Sequence, residues 1–168
     1  AAREVGPDLV VASDPDADRC AVAVPDVDAD GGWRMLRGDE VGALLGAHVL
    51  ARGLPAGGLL ASSIVSSRVL GAMSAEAGVR HVETLTGFKW IARVPGLAYG
   101  YEEALGYCVA PDVVRDKDGI SAALLVAELA AGLRAQGRTL LDLLDELASR
   151  LGVYATDAFS VRVEDLGL

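Results

Sequence analysis

Three aspartates at alternate positions, Asp14, Asp16 and Asp18, stand in the stretch "VVASDPDADRCAVAV" between two apolar runs, and Arg19 follows them. Carboxylates this close repel one another unless positive charge sits among them. A hard divalent cation takes oxygen ligands, and Mg2+ in particular takes a few carboxylates together with phosphate and water. D-x-D-x-D on a tight turn can point three such ligands at one ion, so a bound metal is the expected reading of this loop. The alternative is a polar hairpin tip that merely solvates its charges, since Asp favours turns. The apolar strands on both sides, and an arginine that a simple turn does not need, count against it.

Two known aspartate patterns can be weighed against this stretch. A calcium-binding EF-hand also begins D-x-D-x-D, but needs Gly at its sixth position and Glu at its twelfth. Here those positions hold Arg19 and Pro25, and the flanks read as strands. A haloacid-dehalogenase-type phosphatase carries D-x-D-x-T after an apolar strand, and Asp18 occupies the Thr place, so that match is partial.

Three later stretches also carry groups that can bind a ligand. "TLTGFKW" places a glycine turn, Thr86-Gly87, at a helix start with Lys89 in the first turn, an arrangement that favours an anion such as phosphate. A solvated lysine is the plainer reading of that stretch alone. "YGYEEALGY" leaves a strand with adjacent Glu102 and Glu103. Adjacent residues point to different sides, so at most one need face a ligand, and a carboxylate accepts well from sugar hydroxyls. "VRDKDG" supplies mixed charges, and helix capping is enough to explain Asp118.

These residues need elements to position them. Residues 9–13, 20–24 and 33–36 read as short strands, with "PDVDADGG" as a hairpin loop. At Gly38 the period becomes helical, with Val41, Leu44, Leu45 and Val49 on one face and Gly53 as a stop. "GLLASSIV" reads as a buried strand, and "SSRVLGAMSAEAG" as a helix capped by Ser66 and stopped at Gly78. "VRHVETL" is a strand, "GFKWIARV" a short helix and "LAYGYEE" a strand. Asp118 caps a long helix from about Gly119 to Arg134, and Thr139 with Asp142 opens a last helix ending near Gly152. "YATDAFSVRVEDLGL" reads as a strand or linker. Strands alternating with helices imply an α/β fold, a mixed but mostly parallel sheet with helices on both faces. Ligands in such sheets sit beyond the carboxyl ends of the strands, which singles out the loops 62–68, 86–89 and 102–107.

Length and composition bound the rest. The 168 residues have room for one good domain and a piece of another, and with 52% apolar residues a sizeable core is expected. A net charge of −9 and no basic patch speak against nucleic acid or an anionic membrane surface as partner. Cys20 and Cys108 lack metal-type spacing, and with no signal peptide or long apolar span a reduced, cytoplasmic setting is expected. A start at "AAREVGPDLV", without methionine, suggests a piece of a longer chain. His48, His81, Trp33 and Trp90 read as packing or surface residues, although Trp90 is close enough to Lys89 to touch a ligand.

The order of the motifs is more specific than any one of them. D-P-D-A-D-R, G-D-E, T-L-T-G-F-K-W, E-E-A-L-G-Y and D-K-D-G in succession resemble the α-D-phosphohexomutase superfamily, most closely its phosphoglucomutase 2 and phosphopentomutase-like branch. The resemblance covers nearly the whole chain. It implies a four-domain isomerase that moves a phosphoryl group between positions of a hexose or pentose phosphate through a phosphoserine and a bisphosphate intermediate. Residues 1–37 would then be the end of the second domain with the metal loop, 38–155 the sugar-binding third domain, and 156–168 a linker toward a fourth. By the same resemblance Asp14, Asp16 and Asp18 bind Mg2+, Arg19 lies beside the phosphoryl group and Lys89 handles phosphate or a proton. Glu102 holds sugar hydroxyls, with Glu103, Thr86 and Gly87 as further substrate-side residues. Hexose-specific relatives often read G-E-x-S where this chain has Tyr101-Glu102-Glu103-Ala104, without the serine hydroxyl, which keeps a pentose phosphate open. The serine loop belongs to the first domain, so the 168 residues alone are expected to be inactive. A stand-alone unit that binds a phosphosugar or metal without catalysis is the competing expectation.

Overall fold

The computed structural model describes residues 2–157 and 159. After a short helix, Ala2–Val5 (α1), the strands Val10–Ser13 (β1) and Cys20–Pro25 (β2) pair antiparallel with Ser13 opposite Cys20. The aspartate loop therefore closes a hairpin. Along β2 the residues Cys20, Val22 and Val24 are buried and those between them are half-buried, the period-two pattern of a strand lying on a core. Trp33–Met35 (β3) pairs with the other edge of β2, after a loop that includes a 3-10 turn at Asp30–Gly32.

Gly38–Arg52 (α2) begins the larger layer, and Val41, Leu44 and Leu45 are buried as the periodicity predicts. Leu59–Ser63 (β4), His81–Thr84 (β5), Leu97–Glu102 (β6) and Gly106–Cys108 (β7) make a sheet in the order β5-β4-β6-β7. β4 runs parallel to β5 and β6, and only β7 is antiparallel, so the sheet is mixed and mostly parallel. Val69–Glu76 (α3) and Phe88–Ile91 (α4) connect these strands, and Gly119–Arg134 (α5) and Leu140–Leu151 (α6) follow.

Helices cover both faces, unequally. Leu60, Tyr99, Tyr101 and Tyr107 share one core with α2 and α5, whereas Leu59, Ala61 and Leu97 pack on the other face against Phe88 and Ile91 of α4. The tyrosines explain a glycine stripe on α2. A Cβ on Gly42 would stand 2.4 Å from the Tyr101 ring, and one on Gly38 would stand 1.8 Å from the Glu103 carbonyl oxygen. The helix can thus lie close enough for the Tyr99 and Tyr107 hydroxyls to donate to the carbonyls of Gly42 and Gly38, at 2.7 and 3.2 Å.

Several local expectations need correction. α3 starts at Val69, not at a Ser66 cap; the Val69 N–H donates to Ser67 Oγ at 3.3 Å, and Ser66 is engaged elsewhere. α4 has only four residues, shorter than the 87–94 helix expected, because the chain turns at 92–96 to enter β6. β7 is a strand that the sequence pattern did not suggest, being three residues long behind a tight turn. His81 is more than packing, since its Nε2 lies 3.1 Å from Ser62 Oγ. The expected caps do form: Asp118 accepts from the Ser121 N–H at 3.0 Å, and Thr139 and Asp142 exchange both bonds of a capping box. In the C-terminal tail, residues 152–157 have no regular structure; 158 and 160–168 lie outside the described residues.

Candidate functional site

The aspartate loop is shaped by its own hydrogen bonds. The Ala17 N–H donates to the Asp14 carbonyl at 3.0 Å and the Arg19 N–H to Asp14 Oδ1 at 3.1 Å, with Ala17 in the left-handed region at φ 58°. The turn brings one oxygen from each of Asp14, Asp16 and Asp18 to within 4.8 Å of one another. Oδ1 of Asp18 is buried and accepts no hydrogen bond, although Arg19 Nε lies 3.8 Å away. A buried carboxylate oxygen left without a donor is costly, and a cation among the three carboxylates would satisfy it. The donor set is all oxygen and anionic, which suits a hard divalent ion. Desolvation pushes the Asp14 carboxyl up, but the hydrogen bond from the Arg19 backbone N–H helps to hold it below the ordinary aspartate value. An ionised carboxylate is the form a metal needs.

Backbone contacts join this loop to the β6–β7 turn. Arg19 and Gly106 form an antiparallel bridge, and the Cys20 N–H donates to the Leu105 carbonyl at 3.2 Å. Leu105 has φ 66°, a second non-glycine residue in the left-handed region. From the other side the Gly119 N–H donates to the Ala17 carbonyl at 3.0 Å, and the Asp118 N–H to the Tyr107 carbonyl at 2.9 Å. Lys117, between these contacts, forms an ion pair with Asp18.

The two glutamates of the turn face different surroundings, as their adjacency predicts. Glu102 and Lys117 flank Gly106, each with an atom 3.0 Å from where a Cβ would stand there. Burial raises the Glu102 carboxyl above its ordinary value, the Glu103 charge adds to this, and Lys117 and Arg19 partly offset it. Glu103 Oε2 accepts from Ser63 Oγ at 2.9 Å and Ser66 Oγ at 3.1 Å, and its own N–H donates to Ser66 Oγ at 3.2 Å. Glu103 is thus tied to the end of β4, while Glu102 belongs with Arg19, Lys117 and the aspartates. The tie lies where β4 is flanked by β5 on one side and β6 on the other, the kind of switch point at which ligands enter α/β sheets.

Thr86, Gly87 and Lys89 stand on the same end of the sheet but beyond its opposite edge, after β5. Two strands separate β5 from β7, roughly 14 Å at ordinary strand spacing. Thr86 is exposed, Gly87 turns the chain at φ 98°, and Lys89 is exposed with its Nζ 5.7 Å from the Trp90 ring centroid. The structure therefore groups Asp14, Asp16, Asp18, Arg19 and Glu102 around one turn and leaves Lys89 apart from them. Residues that sequence reasoning did not assign to the site are Lys117, Ser63, Ser66 and the buried Asp39. Lys117 lay in the noted D-K-D-G motif and Asp39 in G-D-E, but neither motif reveals a partner far away in the chain.

Among known proteins, the sequence model of the family described as phosphoglucomutase/phosphomannomutase, alpha/beta/alpha domain III, matches residues 37–151. A "Probable phosphomannomutase" of Haemophilus influenzae is 48% identical over 165 residues, covering 98% of this chain and 34% of that protein. A human phosphopentomutase is 38% identical over 166 residues, covering 89% of this chain and 27% of that protein. The chain spans about a third or less of the length of these relatives. In fold it is similar to parafusin, a phosphoglucomutase of Paramecium solved in an open form, with a TM-score of 0.70 at 24% identity over 88% of this chain and 25% of that one. The matched domain, together with the motifs of the α-D-phosphohexomutase superfamily on this fold, shows that the chain belongs to the phosphoglucomutase/phosphomannomutase family.

Proposed function

We propose that these residues are the metal-binding and sugar-facing part of a phosphosugar mutase, an isomerase that shifts a phosphoryl group between the 1 and 6 (or 5) positions of a sugar phosphate. In this reading residues 1–37 close the preceding domain with the metal loop, 38–155 form the third domain, and 156–168 lead onward. The observation that carries it is the backbone bridge between Arg19 and Gly106, which sets three converging carboxylates beside the Glu102 turn.

Asp14, Asp16 and Asp18 would hold Mg2+, which when bound draws charge from phosphoryl oxygens. Arg19, half-exposed beside the aspartates, presents its guanidinium to the same oxygens. Glu102 accepts from sugar hydroxyls, and the Ser63 and Ser66 bonds to Glu103 keep the turn that carries it in place. Lys89, exposed on the far side of the sheet end, pairs with phosphate, beside the turn at Thr86 and Gly87. The phosphoryl donor is a phosphoserine supplied from outside these 168 residues, and the bisphosphate intermediate returns its other phosphoryl group to that serine. The setting is cytoplasmic, and among the described residues no helix is long and apolar enough to cross a membrane. Relatives named for mannose, glucose and pentose phosphates all match, and Ala104 leaves room for a pentose.

The test uses the full-length gene product with glucose, mannose and ribose phosphates, alongside its Asp16→Asn variant and the isolated 168-residue chain. The expected result is turnover by the full-length protein, a loss of at least about a hundredfold in Asp16→Asn, and none by the isolated chain. A full-length protein that binds sugar phosphate and cation yet turns over none of the three would favour a binding unit instead.

A further inference from the structure

Asp39 is a buried carboxylate, 8% exposed, to which the proposed function assigns no role. Its Oδ1 accepts from the Ser67 N–H at 2.6 Å and from the Tyr101 hydroxyl at 2.9 Å, and its Oδ2 accepts from Thr156 Oγ1. These donors come from three separate parts of the chain. Ser67 follows the Ser63–Ser66 loop that holds Glu103. Tyr101 is the β6 residue immediately before Glu102. Thr156 lies on the segment that leaves α6.

That segment is held by polar bonds and little else. Residues 152–155 are exposed and Thr156 is half-buried, so burial contributes little to their placement. Besides the Thr156 hydroxyl, the Tyr154 carbonyl accepts from Ser67 Oγ at 3.1 Å and the Thr156 carbonyl accepts from Arg37. Each fastening reaches the start of α2 or the loop after β4. A cavity of about 240 Å3, lined in part by Arg37, Asp39, Leu144 and Tyr154, remains under the strap, so packing alone does not seat it.

We propose that Asp39 is a positioning residue that fastens the segment leaving α6 to the end of the sheet carrying Glu102 and Glu103, so that the exit direction of the chain and the set of that turn are one network. A buried carboxylate whose donors are not all in place retains its desolvation penalty without full compensation. Loss of the Thr156 donor therefore makes the closed arrangement of Asp39, Ser67 and Tyr101 less stable as a whole, so that it opens more often and releases Ser66 and Glu102, and with them the turn, more often. This coupling deepens the mutase reading, on which its consequence for sugar binding rests, but the network itself can be tested without substrate.

The test is amide hydrogen exchange on the full-length protein and on two variants, Thr156→Val and Ser67→Ala/Thr156→Val, which remove one and then two of the strap's three fastenings, the Arg37 bond to the Thr156 carbonyl remaining, while leaving the Ser67 N–H and Tyr101 bonds to Asp39 available. The expected result is exchange at least about tenfold faster at the Ser67 amide, whose N–H donates to Asp39, a change of roughly 1.4 kcal/mol, together with a measurable rise in 102–106. A rise confined to Ser67 would show a clasp without coupling to the turn, and unchanged exchange at both would show that the strap holds nothing; either overturns the proposal. In the same variants the KM for glucose 1-phosphate or ribose 1-phosphate should rise several-fold, with Mg2+ affinity unchanged. If the wild-type protein turns over none of glucose, mannose and ribose phosphates, the mutase reading fails, and the exchange result still decides the clasp.

Discussion

Gly119 and Arg19, a hundred residues apart in sequence, meet backbone to backbone: a Cβ on Gly119 would stand 2.3 Å from the Arg19 carbonyl oxygen and 2.7 Å from that of Ala17. The first residue of α5 is thus pressed into the metal loop. Its own N–H completes the contact by donating to Ala17. No side chain, however small, fits there without moving one backbone or the other.

Gly119→Ala should therefore be destabilising even though alanine is the better helix former. Helix propensity favours the change by about 1 kcal/mol, whereas forcing atoms into a packed site costs about 1–3 kcal/mol, and here the obstacle is backbone. The expected net result is a fall in unfolding free energy, measured by chemical denaturation, with weaker Mg2+ binding by titration calorimetry. Unchanged cation affinity would mean that the loop does not depend on α5.

Gly42→Ala and Tyr101→Phe test the layer beneath the site by opposite means. The first adds a methyl where the Tyr101 ring already lies 2.4 Å from it, with the same overpacking cost of about 1–3 kcal/mol. The second removes a donor from the buried Asp39, and a hydrogen bond to a charged group is worth about 1.5–3 kcal/mol. Both should lower the unfolding midpoint in urea. The double variant should cost less than the sum, because both act on one ring.

Glu102→Gln should stabilise the fold while weakening sugar binding. Burial raises the folded-state pKa of Glu102 above its ordinary value of 4.5, so its neutral form is favoured in the folded chain. Its contribution to stability is full below the ordinary glutamate range and is lost as pH rises through the raised folded value. The Tm advantage of Glu102→Gln over wild type should accordingly be small in acid and grow toward neutral pH. A constant difference across that range would place the effect elsewhere.

Lys89→Met should lower Tm by no more than about 4 °C and raise the KM for sugar phosphate. The side chain is exposed, and its recorded contact is the Trp90 ring at 5.7 Å, a cation–π pair worth roughly 0.5–1 kcal/mol at an exposed site. An unchanged KM would return Lys89 to the status of a solvated charge.

What could be read in advance follows from the range of the interactions. The convergence of Asp14, Asp16 and Asp18 was legible because three like charges at alternate positions between two strands are a local pattern on a short turn. The Asp118 cap and the Thr139–Asp142 box were legible because donor and acceptor lie within three residues. Ser66 was misread for the complementary reason: its type and place suit a cap, but Glu103, 37 residues on, takes it instead. Lys117 and Asp39 carried the right charge in noted motifs, yet their partners Asp18, Tyr101 and Thr156 are brought in only by the fold. β7 escaped because three residues are too few to show a period, and the turn before it relies on a leucine in a conformation that sequence does not advertise.

The bridge between Arg19 and Gly106 is made of backbone, and backbone is common to every residue type. The side chains at positions 102 and 104, unlike Glu103 with its serine ties, can therefore be exchanged while this backbone link between the turn and the aspartate loop stays as it is. On the mutase reading proposed above, sugar choice and cation binding would then be separately inheritable, the one varying with a few side chains while the other keeps a fixed frame.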